Sequence, residues 1–245
     1  MREGGVIIKI TSKERELGLA ECIDPSHTAL VIIDVQNDFC HSSGLFKRSG
    51  FDVSHVPPVA EKIRSMRDRA RQLGVFTVFV GSSYDDEVLS GTFEEIFVRR
   101  NIPNRLCHVG SWGADWYNGI EPTDGTGEVS VTKHRFSAFL GTDFDLYLRS
   151  NNIRTLVITG VDTGGSLDAT VRDAFFLDYL ILVPADCVTD SIPTSHAGLI
   201  EKISETFGMV ISSDDIYAEW ADANPGAVRS WLSAAKRGRV LTELN

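Results

Sequence analysis

The chain has 245 residues, of which 42% are hydrophobic and 24% charged, an ordinary balance for one large soluble domain. Its formal net charge of −10 argues against a nucleic-acid-binding face or an anionic membrane as partner. The four cysteines (Cys22, Cys40, Cys107, Cys187) show no CxxC spacing, which favours reduced thiols over a disulfide framework or a zinc site.

The opening residues, MREGGVIIKITSKERELG, lack a signal-peptide pattern, and no apolar run approaches membrane-spanning length. A cytoplasmic protein is expected, with an N-terminal arm over 1–27 and a single domain over 28–245. Thr28 to Asp34, TALVIID, is a continuous apolar run ended by an acid, as in a parallel strand covered on both faces. His41 to Val56 reads as loop. Pro57 and Pro58 open a helix with Val59, Ile63, Met66, Ala70 and Leu73 on one face, stopped by Gly74. Val75 to Val80 is the next strand. Gly81 to Gly127 is long and irregular, as functional connections and those carrying minor helices are.

Val129 to Lys133 is a strand ending in a cation. Thr142 to Asn151 reads as a helix with Thr142 and Asp145 in a capping-box arrangement. A β-branched run, Leu156 to Thr159, then stops at Gly160 and passes through a turn-rich loop, Val161 to Gly165. It restarts as a helix with Leu167, Val171, Ala174 and Phe175 on its apolar face. Strand Tyr179 to Val183, helix Thr194 to Phe207, strand Met209 to Ile211 and helix Ser213 to Ala221 follow, and residues 225 to 237 look helical. Six strands alternating with helices predict an α/β, doubly wound, Rossmann-like parallel sheet, its ligand crevice at the carboxyl ends of the strands. There is no GxGxxG after the first strand, which weakens a dinucleotide-binding reading.

Three strand ends carry reactive groups: Asp34, Lys133 and Ser166. Singly, each has a plain structural reading: a loop cap, a solvated strand terminus and a helix cap. In a parallel sheet, however, these ends share one edge. Ser166 also stands where a strand hands over to a helix N-terminus, a position suited to a nucleophile and its oxyanion.

The blocks DVQNDF (34–39), KHRFSAF (133–139) and GVDTGGSLDATVRDAF (160–175) resemble the signatures of the isochorismatase-like cysteine hydrolases over roughly Thr28 to Ser212. GFDVS (50–54), GSW (110–112) and RDAFFLDY (172–179) are most similar to the ureido and carbamoyl amidohydrolase branch, which includes ureidoacrylate amidohydrolase. Phe136 and the loop at Ser82 to Tyr84 depart from that branch. The resemblance implies cleavage of a linear amide or ureide through a Cys–Asp–Lys triad and a covalent acyl-enzyme. Asp34 would be the general base, Lys133 its tuning cation, and the backbone N–H groups of Asp162 and Ser166 the oxyanion hole. A cis peptide is implied at Val161–Asp162.

The family's cysteine falls on Ser166. A thiol of reference pKa about 8.5 is readily poised as thiolate, whereas a hydroxyl is far less acidic. We therefore read Ser166 as a Cys-to-Ser replacement that stalls turnover and holds substrate. The alternatives are a vinyl ether hydrolase of isochorismatase type and a catalytically dead binding module for a small metabolite.

Phe39, Tyr84, Trp112, Trp116 and Phe136 are candidate pocket walls, and Arg99 or Arg100 a candidate clamp for a substrate carboxylate. The Asp-x-His metal site of nicotinamidase-like members is replaced by GSSYDDEV, so neither metal nor cofactor is expected. A homo-oligomer, dimer or tetramer, is implied by the resemblance.

Overall fold

The computed structural model describes residues 7–8, 17–103 and 105–221. The stretch 225–237, expected to be helical, lies outside them, as does most of the expected N-terminal arm. In the described part of that arm, Leu19, Cys22 and Ile23 are buried in the core. Thr155 Oγ1 donates to the Cys22 carbonyl at 2.6 Å, and Trp220 Nε1 to that of Ile23 at 2.9 Å.

The sheet is built from β1 (Thr28–Ile33), β2 (Phe76–Ser82), β3 (Glu128–Lys133), β4 (Thr155–Val161), β5 (Leu180–Pro184) and β6 (Met209–Ile211). Every neighbouring pair is parallel, in the order β3-β2-β1-β4-β5-β6. A two-residue strand, Val188–Thr189, adds a seventh, pairing with Gly160 and Val161. The order reverses between β1 and β4, and the crevice above such a point is where doubly wound sheets bind ligands.

The six residues of β1 are all buried because alternate side chains feed two separate cores. Leu30 and Ile32 enter one, with Ala60, Ile63, Met66 and Leu73 of α1 (Val56–Leu73). Ala29, Val31 and Ile33 enter the other, with Phe144 of α3 (Phe144–Ser150) and Val171 of α4 (Asp168–Phe176). Between them in sequence, α2 (Gly91–Arg99) lies within the long connection after β2 and buries Phe93 and Phe97. The chain continues through α5 (Pro193–Lys202), a wide turn over Ile203–Phe207, and α6 (Ser213–Ala221). No helix among the described residues is long and apolar enough to cross a membrane.

Some local expectations give way to tertiary contacts. The capping box at Thr142 does not form. Asp145 instead accepts from Tyr179 Oη and Arg149 Nε, both at 2.7 Å, because both donors lie within its reach. Phe175 is 42% exposed and packs edge-on to Phe207, while Thr170 takes a buried place on α4. The stretch read as loop after His41 holds a helical turn, Leu45–Arg48. Gly160, at φ +130°, is required by packing: a Cβ there would overlap the Ile33 carbonyl of the neighbouring strand.

Candidate active site

Strand register brings the polar groups together. Ile33 pairs with Gly160, and Ser82 with Lys133, so four carboxyl ends meet along one rim. Asp34 continues β1 by one residue, its N–H donating to the Val80 carbonyl at 2.8 Å. It turns there at φ 54°, the left-handed region that aspartate tolerates better than most residues. Lys133 and Asp34 are 0% and 1% exposed.

Lys133 Nζ donates to Asp34 Oδ2 at 2.9 Å, to Ser166 Oγ at 2.9 Å and to Ser82 Oγ at 2.6 Å. Those three bonds use all the donors of an ammonium. Ser82 Oγ in turn donates to Asp34 Oδ1 at 2.8 Å and lies 3.2 Å from Tyr84 Oη. The Ser166 hydroxyl is spent on this cluster and caps no helix, in contrast to the plain reading of a cap. It sits in a wide helical turn, Thr163–Leu167, ahead of α4. Ser166 is held there by Thr170, whose hydroxyl donates to the Ser166 carbonyl and accepts from Ala138 N–H. The Val161–Asp162 peptide bond is cis.

Beyond Asp34, the first sequence block positions rather than reacts. Gln36 accepts from Ser82 N–H at 2.7 Å and donates to the Ser82 carbonyl at 3.0 Å, fixing the end of β2. Asp38 accepts from the N–H groups of Leu45 and Cys107, and Asn37 donates to the Trp112 carbonyl. Ser82 itself was missed by sequence reasoning, although it carries the same signal as the others, a polar residue at a strand end.

Beside Ser166 a small cavity is lined by Phe39, Tyr84, Phe97, Arg100, Phe136 and Asp162, among others. Trp112 and Trp116 are not in its wall. Trp112 is 48% exposed, edge-on to His41, and lines a separate surface groove with Arg48 and His108. Trp116 packs on Phe79 and Gly81 because its backbone bridges to Gln36. Of the two arginines, Arg99 points outward to Glu95, while Arg100 reaches the cavity, 3.6 Å from Asp162 Oδ2 and 5.0 Å from the Phe51 ring centre.

Asp162, in the cavity wall, has a second buried acid, Asp190, beside it. Burial pushes the Asp162 carboxyl up to about 7, and the adjoining Asp190 adds to the rise. Burial opposes ionisation of Asp190 too, but hydrogen bonds from Asp162, Ile192, Thr163 and Gly164 outweigh it and hold its pKa below the usual value. Burial also raises the Tyr84 phenol, with the Asp34 charge adding to it. The Cys40 and Cys107 thiols are pushed up by burial and then by Asp34, so neither offers a thiolate in place of the group at 166. Among the described residues no group of three or more His, Cys, Asp or Glu side chains is placed to hold a metal.

Known proteins share this arrangement of strands. The isochorismatase domain matches residues 28–215. Ureidoacrylate amidohydrolase RutB of Pseudomonas syringae pv. syringae is 32% identical over 204 residues, covering 78% of this chain and 82% of its own length. The RutB of Stutzerimonas stutzeri is 30% identical over 218 residues, covering 84% and 87%. An isochorismatase family protein from Desulfovibrio vulgaris superposes with a TM-score of 0.67 at 28% identity, over 79% of this chain and 99% of its own. The N-carbamoylsarcosine amidase of Thermoplasma acidophilum gives 0.62 at 26% identity, over 77% and 97%. With a family domain spanning three quarters of its length and the sheet order to match, the chain belongs to the isochorismatase family.

Proposed function

We propose that this site cleaves a linear amide or ureide by acyl transfer to the side chain at position 166, and that serine there makes turnover slow. The observation that carries the reading is the Lys133 ammonium, buried and donating at once to Asp34 and Ser166. Asp34 is the base for the nucleophile's proton, and Lys133 favours the anionic nucleophile by its charge. Backbone N–H groups of Asp162 and Ser166 bind the oxyanion, where one donor is typically worth about 10²- to 10³-fold in rate. Water then releases the acyl group. Ser166 Oγ already accepts a bond from an ammonium whose other donors are committed. The nucleophile at 166 must give up its proton to react, which a thiol of reference pKa about 8.5 does far more readily than a hydroxyl.

Small uncharged or carboxylated amides suit the aromatic cavity, with Phe39, Tyr84 and Phe136 as walls and Arg100 as the cation in reach. The names of the relatives, ureidoacrylate amidohydrolase and N-carbamoylsarcosine amidase, support the ureide and carbamoyl class. The test is ammonia release by the Ser166→Cys chain from acetamide, biuret, N-carbamoylglycine and ureidoacrylate. Release well above that of the Ser166 chain is expected and excludes the vinyl ether reading. Binding of these compounds without turnover in either form would leave only a metabolite-binding module.

The exposed Phe176, with Phe175 and Leu177 beside it, supports a homo-oligomer joined through the end of α4. Sedimentation of the Phe176→Ser chain as a smaller species than the parent is the expected result.

A further inference from the structure

The acid–base pair of this site does not reach its cavity. Asp34 and Lys133 are almost wholly buried and absent from the cavity wall, whereas Ser166 and Tyr84 are part of it. Two hydroxyl routes connect the pair to the cavity: Lys133 to Ser166, and Lys133 or Asp34 through Ser82 to Tyr84. The first is closed once the side chain at 166 is bonded to the acyl carbon, because that atom then has no proton to pass on. The leaving nitrogen still needs one.

The Ser82 hydroxyl has one hydrogen and two acceptor positions. Its hydrogen goes to Asp34 Oδ1, and one acceptor position takes the Lys133 N–H. The second therefore takes the Tyr84 O–H at 3.2 Å, which leaves the phenol oxygen's lone pairs free for a substrate N–H. Burial keeps Tyr84 a neutral phenol, and Phe93 and Phe97 hold its ring, with centroids 5.8 and 5.2 Å away.

We propose that Ser82 and Tyr84 are the proton-return relay of this site, with Tyr84 the catalytic acid that protonates the leaving nitrogen and Ser82 its link to the buried pair. The inference rests on the acyl-transfer reading above. After the nucleophile has given up its proton, Asp34 is a neutral acid and Lys133 an ammonium. Asp34 then no longer competes for the Ser82 hydrogen, and the hydroxyl turns toward Tyr84. As the carbon–nitrogen bond breaks, its electron pair stays on nitrogen, which takes the Tyr84 proton. Tyr84 takes the Ser82 proton, Ser82 takes one from Lys133, and Lys133 recovers one from Asp34. The oxyanion reforms the carbonyl, every oxygen of the relay ends with one hydrogen, and the pair returns to carboxylate and ammonium.

The test compares two acetyl donors that differ in their need for a proton. Acetamide must expel ammonia, while p-nitrophenyl acetate expels a phenolate that leaves without protonation. In the Ser166→Cys chain, Tyr84→Phe is expected to lower acetamide hydrolysis about 100-fold or more while changing ester cleavage less than ~3-fold, general acid catalysis being worth roughly 10²–10⁴. Ser82→Ala is expected to lose a comparable factor on acetamide, and the double variant no more than either single one. An equal loss on both donors, no loss on acetamide, or multiplying effects of the two substitutions would overturn the relay while leaving acyl transfer standing. A parent Ser166→Cys chain that releases p-nitrophenolate but no ammonia also overturns it, since no amide is then being protonated. If that parent acts on neither donor, the acyl-transfer reading falls first and takes the relay with it.

Discussion

Two buried carboxylates stand one strand apart at the switch point, and the fold treats them differently. Asp34 follows β1 and meets an ammonium at 2.9 Å and a hydroxyl at 2.8 Å. Asp162 follows β4, where its cation, Arg100, is 3.6 Å away and a second carboxyl, Asp190, adjoins it. Burying a carboxylate is costly unless a partner of opposite charge is placed against it. The first acid is thereby paired inside the protein. The second is pushed up to about 7 by burial and then by Asp190. Two buried carboxylates thus have different nearest neighbours, an ammonium for Asp34 and a second carboxyl for Asp162.

Removing the better partner should have the largest effect. Lys133→Met leaves Asp34 buried without its cation, and a loss of about 3–5 kcal/mol is expected from urea denaturation. A loss under about 1 kcal/mol would mean that the ammonium does not hold the rim together.

The Asp162 side should respond with the opposite sign. Between its ordinary value of 3.8 and about 7, the folded chain keeps a proton on Asp162 that the unfolded chain has lost. Its contribution to stability is therefore greatest at low pH and declines as pH rises through that window. Asp162→Asn removes the ionisation and still offers Asp190 a donor. It is expected to stabilise the chain at pH 8 by on the order of 2 kcal/mol and to change little near pH 4. Equal effects at both pH values would show that Asp162 titrates as an exposed carboxylate does.

Arg100→Met withdraws the distant cation. The Asp162 carboxyl should rise further, moving the decline in stability to higher pH, with about 1 kcal/mol at stake for a partly exposed pair. Denaturation midpoints followed from pH 5 to 9, a range chosen around the value near 7, give the readout. Arg99→Ala is the control at the small end. Its side chain is 67% exposed and, among the described residues, bound only to Glu95, so a change within about 0.5 kcal/mol is expected.

Much of this comparison is invisible along the chain. Asp34 and Lys133 stood out because each ends a strand, and Ser166 because it opens the helix after one; parallel strands bring such ends to one edge. Ser82 ends a strand as well, but a serine following Val80 and Gly81 says nothing until Lys133 is placed opposite it. Trp112 and Trp116 had the composition of pocket walls, yet backbone contacts to Asn37 and Gln36 draw them away from the cavity. Asp190 lies 28 positions beyond Asp162 in numbering and carried no local signal at all.

The sequence by itself determined the six-stranded core, its alternation with helices, and which reactive side chains end the central strands. Those follow from local periodicity and from the need to bury apolar runs on both faces of the sheet. Only the tertiary structure decided the partner of each buried charge and the cavity each aromatic faces. Such pairings depend on strand register and loop packing between residues up to about a hundred positions apart, and no local pattern encodes them.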